Sequence, residues 1–252
     1  MASVVDDEAG VAGYYDPEKG GYSDQYKLSE TTPTYIRHQF MKKVFTIVFL
    51  QLLFSFGFML LSYYVEPIRT FFIHFPAIGL VCLIVFFIAS LVISFVPSLV
   101  RNTAGAITAI GLMTPLMAVS LATICCHFRS VEIAIAGGIT TAVVLGLIFF
   151  AMQTKYCFTS WIPYVFVATL CFMFFSLISF PLIYYAGFKT MRMVYAGVGA
   201  LLCSIYILID VQLIVGGGRK YEYSVDDYCL ASIALYTDIV TIFIDILRLV
   251  SS

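Results

Sequence analysis

The sequence is poor in charge. Only 12% of its 252 residues are Asp, Glu, Lys or Arg, whereas 61% are hydrophobic; soluble domains carry about 25% charged residues. A soluble fold of this length still exposes much of its surface to water, so it has no room to hide that much apolar area. The composition therefore excludes a water-soluble enzyme.

The sequence also lacks the patterns of several other protein classes. With a net charge of −1, the chain has no excess of positive charge with which to bind nucleic acid. The seven cysteines are odd in number and none is spaced C-x-x-C, so we expect apolar packing residues and no disulfide framework. His38, His74 and His127 are too scattered to form a metal constellation.

Long apolar runs are what the sequence has in abundance. Each is about the 20 residues that a membrane-spanning helix needs and more uniformly apolar than a soluble amphipathic helix. Backbone groups in lipid must be satisfied within the segment, which favours helices. We therefore predict an all-α membrane protein, a seven-transmembrane-helix bundle within residues 37–252. The runs cover residues 44–65, 77–98, 104–125, 132–152, 161–184, 193–214 and 229–250.

A polar segment, residues 1–36, precedes the first run. It carries seven acids against two lysines, and Tyr14, Tyr15, Tyr22 and Tyr26 alternate with Gly and Pro. Nothing in it builds a core, so we predict a disordered, acidic cytosolic tail. The alternative is a docking or phosphorylation segment that uses these tyrosines.

The distribution of Lys and Arg predicts the orientation. Arg37, Lys42 and Lys43 precede the first run, whereas Arg69 alone closely follows it, which favours a cytosolic N-terminus. Seven spans then place the C-terminus outside or in a lumen, unless the last run is re-entrant. This orientation argues against a G-protein-coupled receptor. A last run without lysine excludes a retinal Schiff base.

Three carboxylates lie inside the spans: Asp210 in the sixth run, and Asp238 and Asp245 in the seventh. An ionisable residue is costly there and indicates function. Asp210 and Asp238 are predicted at depths of about 6 and 13 Å from the cytosolic end, so they can meet. Asp245 is expected to pair locally with Arg248, three residues on; a further acidic step on an ion path is the alternative.

Two close carboxylates in a low dielectric cannot both ionise freely, so the pair is expected to hold one proton between them. Without it they repel each other or capture a cation. Calcium takes about 6–8 oxygens and two aspartates supply at most four, so a calcium site here is weak and hydrated. Arg101, just after the second run, is the candidate counter-ion, or else an ordinary loop arginine. Asp226 and Asp227 are interpreted as solvated loop charges.

An intramembrane aspartyl protease also uses two membrane acids, in Tyr-Asp and Gly-x-Gly-Asp motifs. Here Leu208 and Ile209 precede Asp210, and Thr237 precedes Asp238. Neither motif is present, and we expect no enzymatic activity.

Several short motifs resemble the Bax inhibitor motif family, Lifeguard branch. The family's sixth helix ends with an Asp-x-Gln motif, which is similar to Asp210-Val211-Gln212. The family's C-terminal signature, Leu-Tyr-x-Asp-Ile, is similar to Leu235-Tyr236-Thr237-Asp238-Ile239. Loop segments at 65–69, 153–160, 218–220 and 226–228 also match, so the resemblance covers residues 35–250.

The resemblance implies a bundle with the C-terminal helix central and a pH-sensitive calcium leak in endoplasmic reticulum or Golgi membranes that suppresses apoptosis. Asp210 and Asp238 would form its ion-binding, pH-sensing pair and Arg101 its latch. Asp245 stands where the family usually has an apolar or aromatic residue. Calcium is expected as the transported ion, with no cofactor.

Two alternatives to the leak channel stay open. One is a non-conducting regulator that acts through cell-death membrane proteins as partners; the other is a proton-coupled exchanger that uses the same aspartates. The plasma membrane is the alternative location.

Overall fold

The N-terminal tail is described only in part. A computed structural model of the chain describes residues 15–16, 21–22, 34–187, 189–216, 221 and 223–251. Two short strands, β1 (Tyr15–Asp16) and β2 (Gly21–Tyr22), pair antiparallel in the tail. The other residues before Thr34 lie outside the described residues, so both interpretations of the tail stay predictions.

Helices make up almost all of the described chain. Seven of them, α1, α3 and α5 to α9, are long and apolar enough to cross a membrane. This confirms the predicted all-α membrane protein with seven spans. Short 3-10 helices, Phe158–Trp161 and Val225–Asp227, precede α7 and α9. The α-helices of the described residues are α1 (Thr34–Tyr64), α2 (Glu66–His74), α3 (Ala77–Phe95), α4 (Ser98–Arg101), α5 (Thr103–Cys125), α6 (Ser130–Gln153), α7 (Ile162–Ala186), α8 (Lys189–Val215) and α9 (Tyr228–Val250).

The first helix is longer than its apolar run. It begins at Thr34, ten residues before the run, because each residue added to an existing helix gains a hydrogen bond at little cost. The expected loop after it contains the short helix α2, with Pro67 in its first turn, where a missing N–H costs no bond.

The last helix is the most buried of the seven. In α9, 72% of the most apolar stretch is buried, against 11% in α3 and α7. Helices α1, α5, α6 and α8 pack against α9, while α3 packs chiefly on α5 and α7 on α8. The Tyr236 hydroxyl lies 2.7 Å from the Ser55 hydroxyl, and the Phe243 ring meets Phe56 edge-on at 5.1 Å. Polar residues on α9 are therefore placed inside the bundle.

All seven cysteines lie in described residues and all are free thiols. Cys125, Cys126 and Cys229 are buried in the main hydrophobic core. These three thiols pack as apolar residues, as predicted, whereas Cys171 is exposed.

Candidate ion site

The structure brings Asp210 and Asp238 to one cavity. Asp210 lies five residues before the end of α8, and Asp238 ten residues after the start of α9. These two helices pack directly against each other, and both aspartates line a cavity of about 470 Å³ between α3, α8 and α9. The two carboxylates thus share one cavity, and their action as a pair stays a prediction.

The cavity wall is mainly apolar, with hydroxyl groups close to the carboxylates. Ser90 and Ser94 of α3 line it, and each donates its hydroxyl to a carbonyl one turn back at 2.8 Å. A hydroxyl oxygen that donates its proton can still accept a hydrogen bond or face a cation. Tyr206 and Thr237 complete the polar part of the wall.

Asp210 is buried with one oxygen unsatisfied. Its residue is 7% exposed, and no group in the described part of the chain bonds to its Oδ2 atom. Asp238 is half-buried and within electrostatic range of Asp210. An unpaired buried carboxylate oxygen is costly, so this arrangement favours a proton or a cation at the pair.

Among the described residues that line this cavity, Asp210 and Asp238 are the only carboxylates. The described residues contain no cluster of three or more His, Cys, Asp or Glu side chains able to hold a metal ion. A calcium ion here has to take its remaining ligands from hydroxyl groups and water. The weak, partly hydrated calcium site expected from the sequence therefore stays a prediction.

Arg101 is paired with Asp227. At the end of α4 its Nε donates to Asp227 Oδ1 at 3.0 Å. In this structure the guanidinium therefore serves Asp227 in place of the Asp210–Asp238 pair, and its role as a latch stays a prediction. The interpretation of Asp227 as a solvated charge is wrong: the residue is 8% exposed. It is buried because its Oδ2 also accepts the Ser224 backbone N–H, at 3.1 Å, closing the turn before α9.

Tyr223 lies within electrostatic range of both acidic positions and was missed from the sequence. Its phenol lies within electrostatic range of Asp210, Asp238 and Asp227. Desolvation by burial, followed by these three carboxylates, raises the pKa of Tyr223 well above its ordinary value. The hydroxyl therefore stays protonated and neutral at physiological pH, available as a hydrogen-bond donor beside the pair.

Gln212 has a structural role that the sequence did not disclose. Its fully buried side chain accepts the Phe158 N–H and donates to the Tyr156 carbonyl, both at 2.8 Å. These bonds tie the loop after α6 to α8, two residues from Asp210. The Asp-x-Gln motif was the available signal, but the spacing alone did not reveal the partner.

We expect Gln212→Leu to lower the free energy of unfolding by about 2–3 kcal/mol, because it leaves a backbone donor and acceptor unpaired. Thermal unfolding in detergent measures this, with the exposed Gln153→Leu as the control. Equal unfolding temperatures for the two variants would show that the bonds contribute nothing.

Asp245 lies away from the cavity. It is 4% exposed, and Arg248 Nη1 donates to its Oδ1 at 3.3 Å. The predicted local ion pair is confirmed; a part in an ion path is not tested. Its Oδ2 packs against Gly199 of α8, where a Cβ atom would clash.

Known proteins provide an independent comparison. The sequence model of the family described as "Inhibitor of apoptosis-promoting Bax1" matches residues 37–252. Human "Protein lifeguard 3" is 28% identical over 235 residues, which cover 93% of this chain and 75% of that protein. Its mouse counterpart is also 28% identical, over 94% of this chain and 77% of that protein. Arabidopsis thaliana "Protein LIFEGUARD 1" is also 28% identical, over 94% of this chain and 98% of that protein.

These matches agree with the resemblance found in the sequence, including its Lifeguard branch. The family description concerns apoptosis regulation and names no enzymatic reaction. With a match across all seven spans, the chain belongs to the Bax inhibitor family of multi-pass membrane proteins linked to the regulation of apoptosis.

Proposed function

We propose that the chain is a calcium leak channel of an endoplasmic reticulum or Golgi membrane, and that this leak suppresses apoptosis. The observation that supports this most is the cavity that Asp210 and Asp238 share. Membrane-embedded carboxylates that face a cavity are typical of ion paths.

The pair acts as a proton-sensitive gate. When both carboxylates are ionised, they require a positive counter-charge, and a cation held there bridges α8 and α9 and keeps the cavity closed. A proton on the pair replaces that cation. The protonated pair binds calcium more weakly, so calcium can leave the site, as permeation requires. The leak therefore increases as the cytosolic pH falls from neutral to mildly acidic.

Calcium uptake into liposomes tests conduction. Liposomes that contain the purified chain are expected to take up calcium faster than protein-free liposomes of the same lipid. Equal rates in the two would contradict the leak channel and favour the non-conducting regulator that acts through partner proteins. An equivalent outward proton flux would identify the exchanger instead.

The proposed orientation gives a separate prediction. A glycosylation acceptor placed between Phe71 and Pro76, at the end of α2, is expected to be modified, since this segment faces the lumen if the N-terminus is cytosolic. A gel shift that glycosidase reverses measures it. The control is an acceptor beside Lys155, in the loop after α6, which should stay unmodified. The reverse pattern would invert the topology.

A further inference from the structure

A second polar cavity lies at the far end of α8. Arg192 is near the start of this helix, 18 residues before Asp210, which is about 27 Å along the axis. The cavity has a volume of about 550 Å³. It is thus separate from the aspartate pair. Its lining residues are Phe128, Ser176, Leu177, Pro181, Arg192, Tyr195 and Arg248.

The positive charge that lines this cavity is only partly paired among the described residues. Two guanidinium groups line it, and none of its described lining residues is a carboxylate. Arg248 is bonded to Asp245, but the buried Nε of Arg192 has no hydrogen-bond partner among the described residues. The sequence has no Asp or Glu between Glu132 and Asp210, so α7 and the loop before α8 cannot supply one. Neither α7 nor the loop before α8 therefore supplies a carboxylate to Arg192, and its Nε is unpaired among the described residues.

The residues around the cavity suit a bound lipid, because an exposed apolar face lies beside a guanidinium group. Leu177 belongs to the cavity wall and is 65% exposed, and its neighbours Phe174 and Ile178 continue the same outward apolar face of α7. Arg192 lies three residues after the start of a 27-residue span, and a helix of that length extends beyond a hydrocarbon core of about 30 Å, so its ends reach the head groups. One end of the site thus suits a phosphate and the other an acyl chain. Basic pockets between membrane helices on the cytoplasmic side bind anionic head groups, and this cavity has the same chemistry at the opposite end of the span in the proposed topology.

We propose that this cavity binds an anionic phospholipid of the adjacent leaflet, with Arg192 as the main contact to the phosphate and Arg248 as the second. Guanidinium groups suit this role, because their planar fork donates two hydrogen bonds to phosphate oxygens. The inference holds whether or not the chain conducts calcium.

Native mass spectrometry of the full chain, purified in detergent with phosphatidylglycerol or phosphatidylcholine, tests the proposal. The parent is expected to retain phosphatidylglycerol at least about tenfold better, the value of one charged hydrogen bond. Arg192→Gln is expected to lose this preference and Arg192→Lys to keep part of it. The matched control is Lys189→Gln, an exposed lysine at the same end that does not line the cavity.

Three outcomes would overturn the proposal. The first is equal retention of the two lipids by the parent. The second is an equal loss in Lys189→Gln and Arg192→Gln, which would reduce the effect to general surface charge. The third is displacement of phosphatidylglycerol by millimolar inorganic phosphate, which would assign the site to a soluble oxyanion. If Arg192→Gln fails to fold, full retention of the preference for phosphatidylglycerol by Arg192→Ala would decide against the proposal, and its loss in a folded Arg192→Ala would support it.

Discussion

Asp238→Asn is expected to raise calcium flux at neutral pH to the level that the parent reaches in mild acid. The asparagine carries no charge, so in the proposed gate the pair no longer needs a cation to hold the cavity closed. Asp210→Asn should have the same effect, because the two carboxylates act as one unit across α8 and α9. Coupling of this kind is typically about 1–3 kcal/mol, or roughly 5–150-fold in an equilibrium.

The double variant shows whether the aspartates act together. Its flux should match that of either single variant, and purely additive effects would mean that the two carboxylates never cooperate. Asp245→Asn is the matched control, since Asp245 is a buried acid on the same helix outside the cavity. A flux change of the same size in Asp245→Asn would favour the alternative in which this residue is a further step on the ion path.

Arg101→Ala is also expected to raise the leak near neutral pH. The Arg101–Asp227 pair ties α4 to the turn before α9, and the loss of a partly buried pair costs about 1–2 kcal/mol. That amount shifts a gating equilibrium by roughly tenfold. Asp227→Ala should raise the leak at least as much, because it also removes the hydrogen bond from the Ser224 N–H. Adding Arg101→Ala to Asp227→Ala should change nothing further, because the shared ion pair is already lost. Calcium flux and thermal unfolding measure the two consequences.

The control for this prediction is Lys155→Ala. Lys155 is an exposed lysine of the loop after α6, so its removal should leave the flux unchanged. If Arg101→Ala behaved like Lys155→Ala, Arg101 would be an ordinary topology determinant. If Arg101→Ala flattened the pH profile while Asp227→Ala did not, Arg101 would act directly on the aspartate pair, as the predicted latch.

The spans and the aspartate pair were predictable because they follow from one dominant constraint. An apolar run of about 20 residues has few alternatives to a membrane helix. Asp210 and Asp238 stand out against such runs, and their positions along antiparallel neighbours put them at similar depth. The Asp245–Arg248 pair followed from helical spacing alone.

The partners of the loop residues were not predictable from the sequence. Arg101 and Asp227 are 126 positions apart, and only the folding of the turn before α9 brings them together. The same holds for Gln212, which bonds to a backbone more than 50 positions away. The conformation of a loop depends on many weak local backbone preferences, so such contacts cannot be predicted from composition.

The most direct test of the account is the calcium flux of reconstituted protein measured across a pH series. The parent is expected to leak slowly at neutral pH and faster as the pH on the Asp210–Asp238 side falls towards mild acidity. The Asp210→Asn/Asp238→Asn double variant is expected to leak at a constant, higher rate over the whole range. A parent flux that is independent of pH, or a double variant that keeps the parent's pH profile, would contradict the aspartate pair as the gate.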